Sequence, residues 1–499
     1  MSRIVVIGAG IGGMCAAARL AKLGHSVDVF EGSDQVGGKC RTEWIGKYAF
    51  DTGPSLLTLP AVYRDFFLKT GEPIEKVLEL QPVNPSFDYK FADGSEVNFT
   101  NLSRHETLTS LSQNFGENVS TQWKVLMERA EKMWDVSREP FIESELTSPL
   151  SLLKRPTLLR DLFTIAPWKS LRELVRSVTD DEHLSYIIDR YATYSGSDPR
   201  KAPAVLLSIA FVEEAFGAWH IKGGIGQLAL AIEERAKKLG VKFHVNSPVS
   251  SINHNGKKVS GITLNSGEKV TADVVVANAD ASTVYTHLIS EKVRVLRRQR
   301  KSLAQSEPSL AGFSLLLGLK PDSEAPAMNH HTVLFPADYD AEFDSIFTHY
   351  KPVEEPTIYI CAPRDESMSR TPGYESWFVL VNAPRHSTIG EGFDWSDENF
   401  ARAYASKIIS QIEARGIPLR NRIELLEVRT PADLEKSIGT PGGSIYGSSS
   451  NSARSAFMRA RNRSPLKGLF CVGGSAHPGG GLPLVGISAE IVADAIGRA

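Results

Sequence analysis

Gly8, Gly10 and Gly13 stand in the spacing G-x-G-x-x-G within Gly8-Ala9-Gly10-Ile11-Gly12-Gly13. Binding of a dinucleotide pyrophosphate needs glycine at these three places. The first permits a tight turn, the second lets backbone reach the phosphates, and the third lets a helix pack on a strand. The helix that follows offers unpaired N–H groups and a partial positive charge to the anion. Glu31 closes the next apolar stretch, where a carboxylate accepts hydrogen bonds from ribose hydroxyls. A second concentration of glycine runs from Gly468 to Pro483. There Gly473 and Gly474, then Gly480 and Gly481, bring backbone amides and another helix N-terminus to a different part of the same ligand. Glycine is needed where backbone must lie close to a flat ring.

Other reactive side chains form no set by spacing. His330-His331 precedes an apolar strand with no accompanying ligand set, and reads as structural. Cys15, Cys40, Cys361 and Cys471 are scattered, without a C-x-x-C pair or a zinc-like cysteine–histidine spacing. No metal is therefore assigned. Cys471 lies inside an apolar run and reads as a core residue.

Elements must position these residues. The apolar run 4–7 reads as a buried parallel strand, 14–23 as a helix ended by Gly24, and 26–30 as the next strand, a complete β-α-β unit. Residues 87–91 and 96–100 flank Asp93-Gly94 as a hairpin. Residues 105–216 are mostly helical in pattern. Gly223-Gly224-Ile225-Gly226 opens a further helix, and strands are expected over 241–245, 250–253, from 261 to a Ser266-Gly267 turn, and over 274–277. A mixed region carries strands over 313–319, 357–361 and 377–381. The end returns to a strand over 469–472 and a helix over 486–496. The fold class is thus α/β, a Rossmann-type domain. Its signals lie at the start, middle and end, so it is expected to be discontinuous: 1–83, 222–290 and 430–499. Residues 84–221 and 291–429 then form an inserted α+β substrate-binding part with a helical, membrane-facing region.

The chain has 499 residues, 42% of them hydrophobic, enough for two or three cores. A formal net charge of −2 gives no global attraction to nucleic acid. No apolar run approaches the roughly 20 residues of a membrane span, and no signal-peptide pattern is seen at Met1. The expectation is a cytoplasmic protein.

The segment Gly37-Gly38-Lys39-Cys40-Arg41 resembles the glycine-doublet extension of glutathione-reductase-like and amine-oxidase-like FAD proteins. Phe50-Asp51-Thr52-Gly53-Pro54-Ser55 resembles the flavin-contacting segment of the same families. The resemblance implies non-covalently held FAD, with Gly38, Lys39 and Arg41 near the pyrophosphate. It also implies Asp51, Gly53, Pro54 and Ser55 near the flavin, and Val249 on a strand laid against the adenine. Residues 468–483, Pro441-Gly442-Gly443-Ser444-Ile445-Tyr446-Gly447, Asn278-Ala279-Asp280 and Ser195-Gly196-Ser197-Asp198-Pro199 resemble, in order and rough spacing, the bacterial and fungal-type phytoene desaturases. Essentially the whole chain is covered. His477 has two readings here: it tunes the flavin ring, or it braces the glycine loop.

This resemblance implies removal of a hydride to flavin and of a proton to a base, forming a new C=C in a carotenoid. Asp161 matches an acidic position of the family and is the candidate catalytic residue. Thr164 stands where some members carry arginine, which weakens an acid–base pair there. Electrons are expected to leave to quinone or oxygen. Burying each methylene is worth roughly 0.8 kcal/mol, so the substrate must come from a membrane. Residues 146–178, with Phe163, Trp168, Lys154, Arg155, Arg160, Lys169 and Arg172, form the candidate docking surface on the inner face of the cell membrane; the alternative is an internal lid. A polyene saturase or isomerase of the same fold stays open. An amine oxidase or a non-catalytic lipid-binding protein fits the motifs less well.

Overall fold

The computed structural model describes residues 1–146, 157–452, 455 and 459–499. Five short strands form a wholly parallel sheet in the order Lys242–His244, Ser26–Phe30, Arg3–Ile7, Val274–Ala277, Leu469–Cys471. Parallel sheets are covered on both faces, which is why the strands Arg3–Ile7, Val274–Ala277 and Leu469–Cys471 are almost continuously apolar, while the edge strand Lys242–His244 is not. Helices Ile11–Lys22, Gly226–Lys238 and Leu482–Ile496 share one core with Ile4, Val6, Val27, Val29 and Val276. On the other face Val5, Ile7, Val275 and Ala277 pack with Ile252, Ile262 and Tyr285. Those partners come from the antiparallel strands Val249–His254, Val259–Leu264 and Lys269–Thr271 and the helix Ala281–Thr286. Expected and observed elements agree here to within a few residues, the helix Ile11–Lys22 starting earlier than its alanine-rich pattern suggests.

A second, seven-stranded sheet has the order Ile423–Arg429, Ala311–Leu319, Glu375–Ala383, Ile358–Cys361, His331–Leu334, Phe87–Lys90, Glu96–Phe99. Its strands are antiparallel except where His331–Leu334 runs parallel to Phe87–Lys90. All nine residues of Ala311–Leu319 are buried. Side chains alternate across a strand, and here each set has its own cover. Phe313, Leu315 and Leu317 pack on Tyr404, Ile408 and Ile412 of the helix Glu398–Ala414. Leu316 packs on Tyr48 and Phe50, and a Cβ on Gly318 would lie 2.5 Å from the Tyr48 ring. Tyr48 and Phe50 belong to the hairpin Thr42–Ile45/Tyr48–Asp51, which sequence reasoning leaves unassigned.

Helices Arg104–Phe115, Glu117–Ser137, Glu182–Thr193 and Leu207–Phe216 form a third core with Phe87, Tyr89, Val333 and Phe335 of that sheet. Trp123, Met127, Leu184 and Ile188 are fully or almost fully buried there.

Candidate functional site

The glycine loop follows Arg3–Ile7 and opens the helix Ile11–Lys22 at Gly10, which caps it with no side-chain hydrogen bond. The helix Leu482–Ile496 begins likewise at Gly481, again without a side-chain cap. Both N-termini converge: a Cβ on Gly12 would lie 3.1 Å from Gly473 Cα and 3.1 Å from Val485 Cγ1. Two uncapped helix ends at one place leave first-turn N–H groups free, the arrangement that receives an anion.

Asn278, at the end of Val274–Ala277, is the hub. Its Nδ2 donates to Val472 O at 3.0 Å. A Cβ on Gly10 would fall 2.6 Å from its Oδ1, and one on Gly473 2.3 Å from its Nδ2. Gly8 (φ +91°) lies against its backbone, and a Cβ on Gly13 would strike Gly8 O at 2.3 Å. Gly38 stacks over Gly10, with 3.3 Å between its built Cβ and Gly10 Cα. These glycines are therefore dictated by close approach of backbone.

Glu31 accepts from Ala9 N–H at 2.7 Å through Oε2 and from Ser33 N–H and Oγ–H at 2.9 Å through Oε1. The carboxylate is thereby aimed at the loop, with lone pairs to spare. Residues before Val249 run beside it, since Ser247 N–H donates to Glu31 O at 2.7 Å. Val249 itself is half-buried at the start of its strand.

Lys39 Nζ donates to Ile445 O at 2.6 Å and to Ser444 O at 3.3 Å. Burial pulls its pKa down to about 8, with Asp280 opposing. Arg459, which sequence reasoning misses, donates to Gly474 O and Tyr446 O at 3.2 Å and to Ser448 O at 2.9 Å. Burial draws it down to about 10, again against Asp280. Gly474 approaches Gly480, whose built Cβ would lie 2.6 Å from the Tyr446 ring. Nothing lies within 4 Å of a Cβ built on Gly481.

Three of the predicted residues already have protein partners. Arg41 turns into the preceding loop, donating to Val36 O, Ser33 Oγ and Gln35 O at 3.1, 2.7 and 2.8 Å. Asp51 accepts from Thr42 Oγ1 at 2.6 Å and from Ile225 N–H at 3.0 Å, so it binds the start of the helix Gly226–Lys238. Burial pushes its carboxyl up to about 6. Ser55 Oγ lies 2.6 Å from Tyr359 Oη. Gly53 packs so close that a Cβ would meet Lys39 O at 1.8 Å, and Pro54 beside it is half-buried.

Asp161 is buried in the helix Leu158–Ile165, accepting from Thr157 Oγ1 at 2.7 Å. His477 Nε2 is paired with Ser144 O at 2.9 Å and its carbonyl accepts from Asn462 and Ser488, which favours the bracing role. The structure brings Cys361 to His330-His331, the third ligand-type residue that local spacing does not show. Long-range strand pairing supplies it.

Tyr194, Tyr359 and Tyr446 are only half-buried, yet burial drives each hydroxyl up, Tyr446 to about 12 and the others well above the ordinary value.

Residues 11–314 match the family model of flavin-containing amine oxidoreductases. A 1-hydroxycarotenoid 3,4-desaturase of a Flavobacterium strain is 31% identical over 99% of both chains. A zeta-carotene-forming phytoene desaturase of Myxococcus xanthus is 32% identical over 99% of this chain and 93% of its own.

The chain belongs to the flavin-containing amine oxidoreductases, in their carotenoid desaturase branch.

Solved structures agree in fold: an oxidoreductase of Methanosarcina mazei (TM-score 0.66, 17% identity, 99% and 100% of the two chains) and a putrescine oxidase (0.66, 15%, 99% and 98%). The cofactor of this flavin-containing oxidoreductase is FAD. The two uncapped helix ends, the Glu31 carboxylate and the glycines where a Cβ would fill the cradle all fit it.

Proposed function

We propose that this flavin-containing oxidoreductase desaturates a carotenoid, phytoene or a later, partly desaturated or hydroxylated intermediate. The observation that carries the reading is end-to-end similarity to two carotenoid desaturases together with a glycine cradle spanning the start and end of the chain. When bound, FAD supplies a two-electron acceptor for hydride. The protein's own part is positional. Glu31 takes the ribose, the two helix ends take the pyrophosphate, and Lys39 and Arg459 hold the 444–448 backbone beside Gly474 and Gly480. The half-buried Tyr194, Tyr359 and Tyr446 are proposed to line the space where a polyene is held away from water, since water exclusion with fixed geometry is a main source of rate. Val249 is proposed beside the adenine, and Asp51, Gly53, Pro54 and Ser55 on the flavin side. Arg41 contributes charge near the pyrophosphate. Asp161 is the proposed proton acceptor.

We further propose the division into an FAD-binding part, 1–83, 222–290 and 430–499, and a substrate-binding part, 84–221 and 291–429. Quinone or oxygen is the proposed final acceptor. No helix among the described residues is long and apolar enough to cross a membrane. Leu159, Phe163 and Trp168 are 74%, 70% and 59% exposed, which supports peripheral attachment on the inner face of the cell membrane over an internal lid. Arg172 is not part of that surface: it is buried and paired with Asp189 and Asp340. Lys154 and Arg155 lie outside the described residues.

A 4,4'-diapolycopene oxygenase of a Methylomonas species, 30% identical over 99% of this chain and 98% of its own, keeps terminal oxidation as a second reading. Expression in a phytoene-making host separates the two. Loss of hydrogen pairs and a red-shifted pigment are expected; gain of oxygen without new double bonds selects the oxygenase, and an unchanged pigment in hosts making phytoene and, separately, its partly desaturated and hydroxylated successors and diapolycopene rejects both.

A further inference from the structure

One group of ligand-type side chains is unused by the reading above. Cys361 stands directly opposite His331 in the antiparallel ladder between Ile358–Cys361 and His331–Leu334. Directly opposed residues share a face, so their side chains meet. His330 is the neighbour of His331, and neighbours along an extended chain ordinarily point to opposite sides. Here the two imidazoles instead approach edge to face at 4.5 Å. The ligand-type atoms of His330, His331 and Cys361 all fall within 4.8 Å of one another.

His331 is wholly buried, and its Nδ1 lies 2.9 Å from Ser86 O. A carbonyl only accepts, so Nδ1 carries the hydrogen and Nε2 carries a lone pair. Neither that Nε2 nor the Nε2 of His330 has a hydrogen-bond partner of good geometry, although the Ser55 backbone lies beside the His331 ring. Buried polar atoms left without partners are costly and call for an explanation. The rings are also clamped: His331 stacks on Phe87 at 5.1 Å, and His330 leans on His220 at 4.9 Å, itself held by Asp365 at 2.8 Å. Cys361 is likewise buried and in no disulfide.

We propose that His330, His331 and Cys361 form a binding site for zinc(II), through two imidazole nitrogens and one thiolate. Nitrogen and sulfur donors of this kind suit a thiophilic cation over a hard one such as magnesium or calcium. Two metal–nitrogen bonds and one metal–sulfur bond form, the thiol proton leaves to solvent, and nothing is oxidised. The Ser86 carbonyl on Nδ1 of His331 is the support that a metal-bound imidazole receives on its other nitrogen. The Ser55 and Tyr359 hydroxyls also hydrogen-bond the Cys361 sulfur. The metal thus ties the end of the strand Ile358–Cys361 to the start of His331–Leu334, whatever the enzyme's substrate.

The test uses full-length, FAD-loaded protein stripped of adventitious metal, incubated with zinc and desalted. About one zinc per chain is expected in the wild type, and about tenfold or more weaker retention in Cys361→Ala, with FAD content as the control for folding. Cobalt(II) in the wild type is expected to give a thiolate-to-metal charge-transfer band, a readout that needs no variant. Negligible zinc in the wild type, equal retention in a flavin-loaded Cys361→Ala, or absence of the cobalt band each overturns the proposal.

Discussion

At Gly10 the whole cofactor site depends on a missing methyl group. Its built Cβ lies 2.6 Å from Asn278 Oδ1, and Asn278 is itself fixed by Val472 O. Gly10→Val is therefore expected to yield folded protein without flavin, measured as the ratio of flavin to protein absorbance. A variant with full flavin content would remove this loop from the site. Asp51 gives a pH-dependent prediction. Its carboxyl is raised by burial to about 6, so the folded state binds the proton more tightly than the unfolded chain between about pH 4 and pH 6. Stability contributed by protonation is present at low pH and is lost as pH rises through about 6. Asp51→Asn keeps an acceptor for Ile225 N–H but cannot ionise. Relative to wild type it should gain ~2–3 kcal/mol on going from pH 4 to pH 7.5, an order-of-magnitude figure. Parallel denaturant titrations at both pH values check this; a difference that does not change with pH argues that Asp51 is ionised throughout.

Among the elements, the helix Leu158–Ile165 is the most unusual. Within it only Asp161 is buried, while Leu159 and Phe163 stand in solvent and Phe163 meets Trp168 edge to face at 5.6 Å. Apolar aromatics exposed together are the anchor of an interfacial helix. Replacing Phe163 and Trp168 by serine is expected to lower partition into anionic liposomes by about two orders of magnitude or more, since each ring buried in the acyl boundary is worth roughly 1.5–3 kcal/mol. Flavin content and thermal stability should stay near wild type. Lower stability with unchanged liposome binding would mean that the pair serves internal packing. The following helix, Leu171–Arg176, plays a different part. Its capping box and the Arg172–Asp189 pair tie it inward to the helix Glu182–Thr193.

For the molecule as a whole, the cradle is closed by segments far apart in the chain: Gly10, Asn278 and Gly473 meet around one side chain. A ligand that binds only this assembled state stabilises it by mass action. FAD at about a hundredfold excess over its Kd should add ~2.7 kcal/mol, seen as a melting temperature that climbs with FAD concentration. A melting temperature indifferent to FAD would mean that the cradle forms in the unfolded ensemble or does not bind it.

Local patterning determined much of this protein. The glycine spacing, the acid at Glu31 and the apolar runs 4–7, 26–30, 274–277 and 469–472 identify the parallel sheet, because strands covered on both faces must be apolar throughout. The glycine-doublet extension and the stretch from Gly468 to Pro483 carry the family. What tertiary structure alone decided are the partners. Arg459 has no motif; it becomes part of the site because Tyr446, Ser448 and Gly474 present their carbonyls to it. The partners of Arg41 and Asp51, a neighbouring loop and a helix start, are likewise set by the fold, since a charged side chain goes where its hydrogen bonds are satisfied. Arg172 has the sequence context of a surface cation and is buried, because Asp189 and Asp340 converge on it from elsewhere in the chain. Cys361 reaches His330 and His331 only through the register of two strands that no local spacing encodes.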